Sequence, residues 1–185
     1  MRELSLHILD VAENGITAGG NCIWIAVDED RKADQLKIVI RDNGRGMPVE
    51  KLENIDDPFI TTRTTRRVGL GLSLLATAAR RCEGTMHVDS KPGKGTEISA
   101  TFGFNHIDRA PLGDMAATIT TLIMGNPGID FVYSHQIDGK EYRLDTREIR
   151  TEMEDLSLSD PIVIHHLAET IRSALEALSS NQSES

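Results

Sequence analysis

An alternating apolar run, Leu36, Ile38 and Ile40, leads into Asp42-Asn43-Gly44-Arg45-Gly46-Met47-Pro48. A period of two is what a strand with one buried face requires. The strand therefore ends in a carboxylate, and the two glycines after it let the chain turn and let a flat ligand approach the main chain. An ionised carboxylate only accepts hydrogen bonds, so an Asp held at a strand end suits an amino group. Asp and Gly also punctuate ordinary turns, so this stretch alone reads as a turn as readily as a site.

The chain has 185 residues, enough for one ordinary domain or one domain with an appendage. Only 4% are aromatic, so the core is built of Ile, Leu, Val, Ala and Met. A net charge of −9 argues against nucleic-acid binding through a basic surface. The basic residues are uneven, with one cluster at Arg63, Arg66 and Arg67. Cys22 and Cys82 lack metal-ligand spacing and read most simply as free thiols of a reducing cytoplasm, with a disulfide as the alternative. No apolar run is long enough to span a bilayer, and the N-terminus carries no signal-peptide pattern. The expectation is a cytoplasmic protein without a membrane or nucleic-acid partner.

Upstream, residues 3–18 predict an amphipathic helix, with Leu4, Ile8, Val11, Ala12 and Gly15 at three- and four-residue spacing and Gly19-Gly20 ending it. Asp10 and Asn14 are four apart and project from one face. They are either part of a solvated face or a metal-and-water site. In the second case the Asn oxygen is a hard ligand suited to magnesium, and the Asp carboxylate orients or deprotonates a water. Glu13 is rotated by about 100° and reads as surface. His7, three before Asp10, reads as a surface or packing residue rather than a phosphoacceptor.

Ile23, Ile25 and Val27 predict a second strand, joined to the strand at 36–42 by a polar hairpin-like connection over residues 30–35. Pro48 to Asn54 suits a short helix opened by its proline. Residues 55–68 hold threonines and arginines without core-forming periodicity and read as a hydroxyl-rich cationic loop. The loop runs into Val68-Gly69-Leu70-Gly71-Leu72, which opens a helix over about 70–82. Glycines at a helix start expose N–H groups and the positive end of the dipole to phosphate oxygens, and the preceding arginines add to it. G-x-x-x-x-G-K-[ST] is absent, and the strand-to-helix context of a dinucleotide fold is missing. Strands follow at 85–90 and 95–102, around the turn Lys91-Pro92-Gly93-Lys94-Gly95. Should they neighbour the first pair, Asp42, Gly46 and Thr96 would line one pocket.

After Phe104 comes a polar linker, then a helix over Leu112–Met124 closed by Gly125-Asn126-Pro127-Gly128. Phe131-Val132-Tyr133 and Glu141 to Leu144 flank Asp138-Gly139, a hairpin signal. Helices suit 147–156 and 161–178, and 179–185 reads as a frayed tail. This segment is short for an independent core, so it is expected to pack on the rest of the chain or on a partner. His165 and His166 point in different directions and read as surface residues rather than a metal pair.

Taken in order, these stretches resemble the ATP-binding domain of the GHKL superfamily, which includes gyrase-type topoisomerases, the large heat-shock chaperones, histidine kinases and MutL-type repair ATPases. L-D-V-A-E-N-G-I-T-A-G-G is similar to the N-box, D-N-G-R-G-M-P to the first glycine box and D-P-F-I-T-T-R to the phenylalanine box and start of the lid. V-G-L-G-L-S resembles the second glycine box and P-G-K-G-T-E-I the final strand. Each motif alone is weak, but the ordered set over residues 3–104 is specific, and the phenylalanine box with G-L-G-L is nearest to the histidine-kinase catalytic domain.

The resemblance implies an α+β fold, a two-layer sandwich of the Bergerat type. Its mixed sheet would be covered on one face by helices, with the ATP-binding domain at 1–104. The resemblance stops after Phe104, and residues 105–178 read from their own pattern as a smaller α/β extension, expected to dock a partner or regulate output. It implies ATP and Mg2+ as cofactors, with Asn14 on the metal and Asp42 accepting from the adenine amino group. Gly44 and Gly46 would make room for the base, beside Met47. Gly69 and Gly71, with Leu70 and Leu72 between and after them, would meet the phosphates. Phe59 would anchor the lid, Arg63 would add charge from the loop, and Thr96 would support the adenine. Asp10 stands where hydrolysing members carry Glu; a carboxylate one methylene shorter makes it a general base of reduced reach or a water orienter. Arg67 stands where the glycine box often begins with Gly, and the lid is short. On this reading no dimerisation helices, phosphoacceptor His or sensor segment precede the N-box, as in the stand-alone anti-sigma-factor kinases. The expected function is an ATP- and magnesium-binding regulatory protein, a histidine-kinase-like kinase or phosphotransfer module acting on a protein partner, with a homodimer among the assemblies it admits. The alternatives are a nucleotide-gated switch without useful catalysis and a slow ATPase.

Overall fold

The computed structural model describes residues 3–47, 70–152 and 157–180. Helix α1 (Leu4–Thr17) forms where the apolar repeat predicts it, and Leu4, Ile8, Val11, Ala12 and Gly15 are all buried. Gly19 takes a φ of +85°, and the Gly20 N–H returns to the Gly15 carbonyl at 3.0 Å, which closes the helix. Strands β1 (Cys22–Asp30) and β2 (Gln35–Asp42) pair antiparallel, with Ile25 opposite Ile40 and Val27 opposite Ile38. That register puts both apolar stripes on one face. Helix α2 (Leu70–Arg81) follows, then β3 (Met86–Lys91) and β4 (Gly95–Gly103), a second antiparallel hairpin.

The remaining elements are α3 (Met115–Gly125), β5 (Asp130–Ile137), β6 (Lys140–Asp145), α4 (Thr146–Glu152) and α5 (Pro161–Ser180). Helix α3 starts three residues later than its apolar pattern because the Asp114 carboxylate accepts the Ala117 N–H at 2.8 Å and caps it. Leu112, read as helical, instead accepts the Ser5 N–H on its carbonyl at 2.7 Å and ties the linker to the start of α1. The predicted helix over Pro48–Asn54, the loop at 55–68 and the tail from 181 lie outside the described residues.

The strands form one mixed sheet in the order β3-β4-β2-β1-β5-β6. Strand β5 runs parallel to β1, with Ile25 beside Tyr133, while every other pairing is antiparallel. The C-terminal hairpin thus extends the same sheet. Helices α2, α1, α3 and α5 lie side by side in that order, α2 against β3 and β4, α1 against β1 and β2, α5 against β5 and β6. The apolar residues between the layers form one continuous core, in which Ile8, Ile38 and Leu75 from the first half meet Ile119, Phe131 and Ile171 from the second. The opposite face carries Trp24, Lys37, Val39 and Arg41 and is partly or fully exposed, with the Arg41 guanidinium 5.2 Å from the Trp24 ring centre. Among the described residues, no helix is long and apolar enough to cross a membrane.

Polar side chains on the core-facing side of β1 and β5 are paired with one another. His135 Nδ1 is 2.7 Å from the Tyr133 hydroxyl and its Nε2 2.7 Å from Glu29 Oε1, which satisfies a ring only 2% exposed. Both cysteines are free and buried.

Candidate functional site

Asp42 ends β2 on the core-facing side and is 7% exposed. Its neighbours follow from the register. Asp42 stands opposite Thr96 on β4, and Thr96 stands opposite Ser90 on β3. Three buried polar side chains therefore form a row across three adjacent strands, continuing the line of Ile23 on β1. Burial pushes the Asp42 carboxyl above the usual carboxylate range, and the Gly44 and Thr96 N–H groups pull it part of the way back. The Gly44 N–H bonds Asp42 Oδ1 at 2.8 Å.

The turn after Asp42 is held from four sides. Asn43 Oδ1 accepts the N–H groups of Asn21 and Cys22 at 2.9 and 3.1 Å. The Arg45 N–H reaches the Ala18 carbonyl at 3.0 Å, and the Arg45 carbonyl accepts the Gly93 N–H at 2.7 Å. The Met47 N–H is bound by Ser90 Oγ at 2.8 Å. Gly46 has a φ of +67°, and a β-carbon there would sit 2.1 Å from the Lys91 carbonyl oxygen, so only glycine fits.

Helix α1 connects this end of the site to the other. A β-carbon at Gly15 would lie 2.8 Å from that of Asp42, so the helix backbone packs directly on the Asp42 side chain. Five residues earlier, about 7.5 Å along the axis, Asp10 meets the start of α2. A β-carbon on Gly71 would be 3.0 Å from Asp10 Cβ and 3.3 Å from Asp10 Oδ2. Asp10 is half-buried there, while Asn14, one turn on, is exposed on the same face. Glu13 is exposed, as its rotation on the helix predicts.

A family model described as histidine kinase-, DNA gyrase B- and HSP90-like ATPase matches residues 2–106. The chain belongs to this family. Among relatives of this ATPase family, sporulation kinase A of Bacillus subtilis is 29% identical over 102 residues, 55% of this chain and 16% of that protein. The sensor protein kinase FleS of Pseudomonas aeruginosa is 38% identical over 105 residues, 57% of this chain and 25% of that protein. The chain thus spans a quarter or less of the length of these relatives. The ATPase domain of MutL from Aquifex aeolicus, solved with ADP, superposes with a TM-score of 0.50 at 12% identity, over 92% of this chain and 70% of that one. That likeness carries the fold, and the mixed sheet with helices on one face is the α+β architecture of this ATPase family.

Within the matched residues the structure brings Asp42, Gly44, Gly46, Met47 and Thr96 together beside the C-terminal end of α1, and Asp10 and Gly71 near the middle of that helix. Leu72 is 5% exposed, and its side chain belongs to the apolar core. Leu70 begins α2, and Phe59, Arg63 and Gly69 lie outside the described residues. Among the described residues no three His, Cys, Asp or Glu side chains gather as metal ligands.

Sequence reasoning passed over Ser90 and left the environments of Gly15 and His7 open. Ser90 is the hub between Met47, Gly95 and Thr96; the signal was the tight turn at 91–95, which sets Ser90 opposite Thr96. Gly15 was read as part of an apolar stripe, although its role is to admit Asp42. His7 is 3% exposed with its Nδ1 unpaired, and burial lowers its pKa, with Asp10 acting in the opposite direction.

Proposed function

We propose that this chain binds ATP with magnesium and acts as a regulatory, histidine-kinase-like domain that passes the terminal phosphoryl group to a protein partner. The observation that carries the nucleotide reading is the way α1 joins two ends, Gly15 packing on the buried acceptor Asp42 and Asp10 on the glycine start of α2. In this reading Asp42 takes the adenine amino group and Thr96 supports the base. Gly44 and Gly46 leave the main chain bare beneath its plane. The N–H groups opening α2 meet the phosphates, as helix starts do.

Asn14 and Asp10 fit magnesium in donor chemistry. An exposed amide oxygen one turn from a half-buried carboxylate offers hard oxygen donors to an ion that keeps most of its waters and takes phosphate oxygens. Bound there, magnesium would neutralise phosphate charge. Asp10 would orient a water or the acceptor group. Transfer to a partner is supported by the likeness to sporulation kinase A and FleS. The two buried free thiols fit a reducing cytoplasm.

A second reading, a nucleotide-gated switch with little turnover, is favoured by Asp10. It is one methylene shorter than Glu and already packed against Gly71, and base catalysis is sensitive to such displacement. Incubation with ATP labelled at the terminal phosphate, alone and with co-purifying proteins, separates the two. Label on a protein supports the kinase; tight binding without transfer or phosphate release supports the switch. If Asp42→Ala and Asn14→Ala both bound ATP as well as the parent, the nucleotide reading itself would fall.

A further inference from the structure

The chain holds two Asn-Gly pairs, Asn14-Gly15 and Asn43-Gly44, and both lie in the candidate site. An asparagine followed by glycine is chemically unstable, because no side chain shields the glycine nitrogen. That nitrogen loses its proton and attacks the asparagine Cγ, and a cyclic imide forms as the side-chain nitrogen departs as ammonia. Water then opens the ring at one carbonyl or the other and leaves aspartate or isoaspartate. The reaction needs a glycine N–H free to ionise and a side-chain amide free to tilt out of its plane. At Asn14 the helix withholds the first. Gly15 lies inside α1, where each main-chain N–H is bound to the carbonyl four residues back. Asn43 lies outside any helix or strand, and its side chain is exposed.

At Asn43 hydrogen bonds close the same route. Its Oδ1 takes the Asn21 and Cys22 N–H groups at 2.9 and 3.1 Å, which can only donate. The side-chain nitrogen therefore faces the other way and donates to Asn21 Oδ1 at 2.7 Å. The Gly44 N–H is bound to Asp42 Oδ1 at 2.8 Å, where its loss would set a second negative charge beside a carboxylate. Asn21 is itself anchored, its carbonyl accepting the Asp130 N–H of β5 at 2.9 Å. We propose that Asn43 is a deamidation site guarded by Asn21: while the side-chain bond between them holds, the Asn43 amide persists, and where it opens Asn43 converts to aspartate and isoaspartate. Isoaspartate inserts an extra carbon into the main chain between Asp42 and Gly44. That breaks the spacing by which the Gly44 and Arg45 N–H groups reach Asp42 and the Ala18 carbonyl. The guard thus preserves the turn on which the site is built.

The test follows Asn43 and Asn14 by peptide mapping and mass spectrometry while the full chain ages in mildly alkaline buffer, beside a peptide of residues 41–46. The side-chain hydrogen bonds should slow Asn43 in the wild type by about a hundredfold relative to the peptide. Asn21→Ala should speed Asn43 by about tenfold and leave Asn14 unchanged. Asn21→Asp, which keeps an acceptor for the side-chain nitrogen, should hold the wild-type rate. Asn14 separates a local clamp from general unfolding, since an opened fold exposes both pairs. Equal Asn43 rates in the wild type and Asn21→Ala overturn the inference. So does a wild type that converts Asn43 as fast as the peptide or faster, the faster case meaning that the Asn21 and Cys22 N–H groups steady the oxyanion of attack instead. Should Asn21→Ala convert Asn14 as well, its fold is opening and Asn21→Asp decides: a rate at Asn43 above the wild type's, with Asn14 intact, overturns the inference. The readout is covalent and needs no nucleotide, so its failure leaves the nucleotide reading where it stands.

Discussion

Asp42 and His7 show how burial shapes single residues here. The Asp42 carboxyl is held above its ordinary range mainly by burial, so the folded state keeps a proton that the unfolded chain releases. Its contribution to stability is therefore present at low pH and is lost as pH rises from the ordinary carboxylate value through the raised folded one. Asp42→Asn should remove that loss, giving a urea midpoint at pH 7 no lower than the parent's. The same variant should bind ATP about 10- to 100-fold more weakly, the effect of losing a hydrogen bond to a charged acceptor. A variant that bound ATP normally would exclude Asp42 as the base reader. For His7 the sign reverses. Its folded pKa lies below 6.5 because of burial, so the folded state binds fewer protons than the unfolded chain. Stability is full above 6.5 and falls as pH drops from there towards the lowered value. Relative to His7→Leu, the wild type should lose stability as pH falls through that window. Equal midpoints for the two proteins from pH 7.5 to 5.5 would show that His7 titrates normally.

The turn after β2 and the start of α2 carry the site at the scale of elements. Gly46 sits at φ +67° with its missing β-carbon aimed 2.1 Å from a main-chain oxygen, which cannot move without dislodging β3. Gly46→Ala should cost about 2–4 kcal/mol and abolish tight ATP binding, because the Met47–Ser90 bond and the wall of the pocket shift together. Gly93 has a similar φ of +74° but open space around it. Gly93→Ala should cost only about 1 kcal/mol and leave ATP affinity within twofold. Thermal melts and binding isotherms of the pair decide whether close approach, rather than backbone handedness, is what the glycine box requires. Helix α1 imposes a related limit: Gly15 and Asp10 must present their faces to Asp42 and Gly71 at once, which a helix does at a fixed rise per residue.

At the scale of the whole molecule, the C-terminal third is part of the sheet that holds the site. Strand β5 covers the edge of β1, and Ile119, Leu122 and Ile123 of α3 and Ile171 of α5 complete the core that α1 begins. A chain ending after Phe104 would expose the backbone of β1 as an edge and leave the flank of α1 next to α3 uncovered. Residues 1–104 alone should therefore be aggregation-prone, with poorly dispersed amide resonances, while the full chain melts in one transition. A well-folded 1–104 fragment that binds ATP with full affinity would make 105–178 a separable docking module instead.

Much of this was legible in the chain itself. Period-two runs at 36–40 and 23–27 and the stripe from Leu4 to Gly15 specify their elements locally, because burial of one face needs no knowledge of the partner. The ordered glycine and Asn/Asp motifs were sufficient to indicate the ATPase family. What remained open depended on contacts between residues far apart in the chain. The parallel pairing of β5 with β1 arises from packing that no local pattern encodes. Asp42, Thr96 and Ser90 became one row only through two strand registers. Sequence alone determined which residues could form a strand-end acceptor and a glycine-containing helix start. Tertiary structure decided that one helix, packed through Gly15 and Asp10, would hold the two a fixed distance apart, because side-chain packing is what converts separate elements into one geometry.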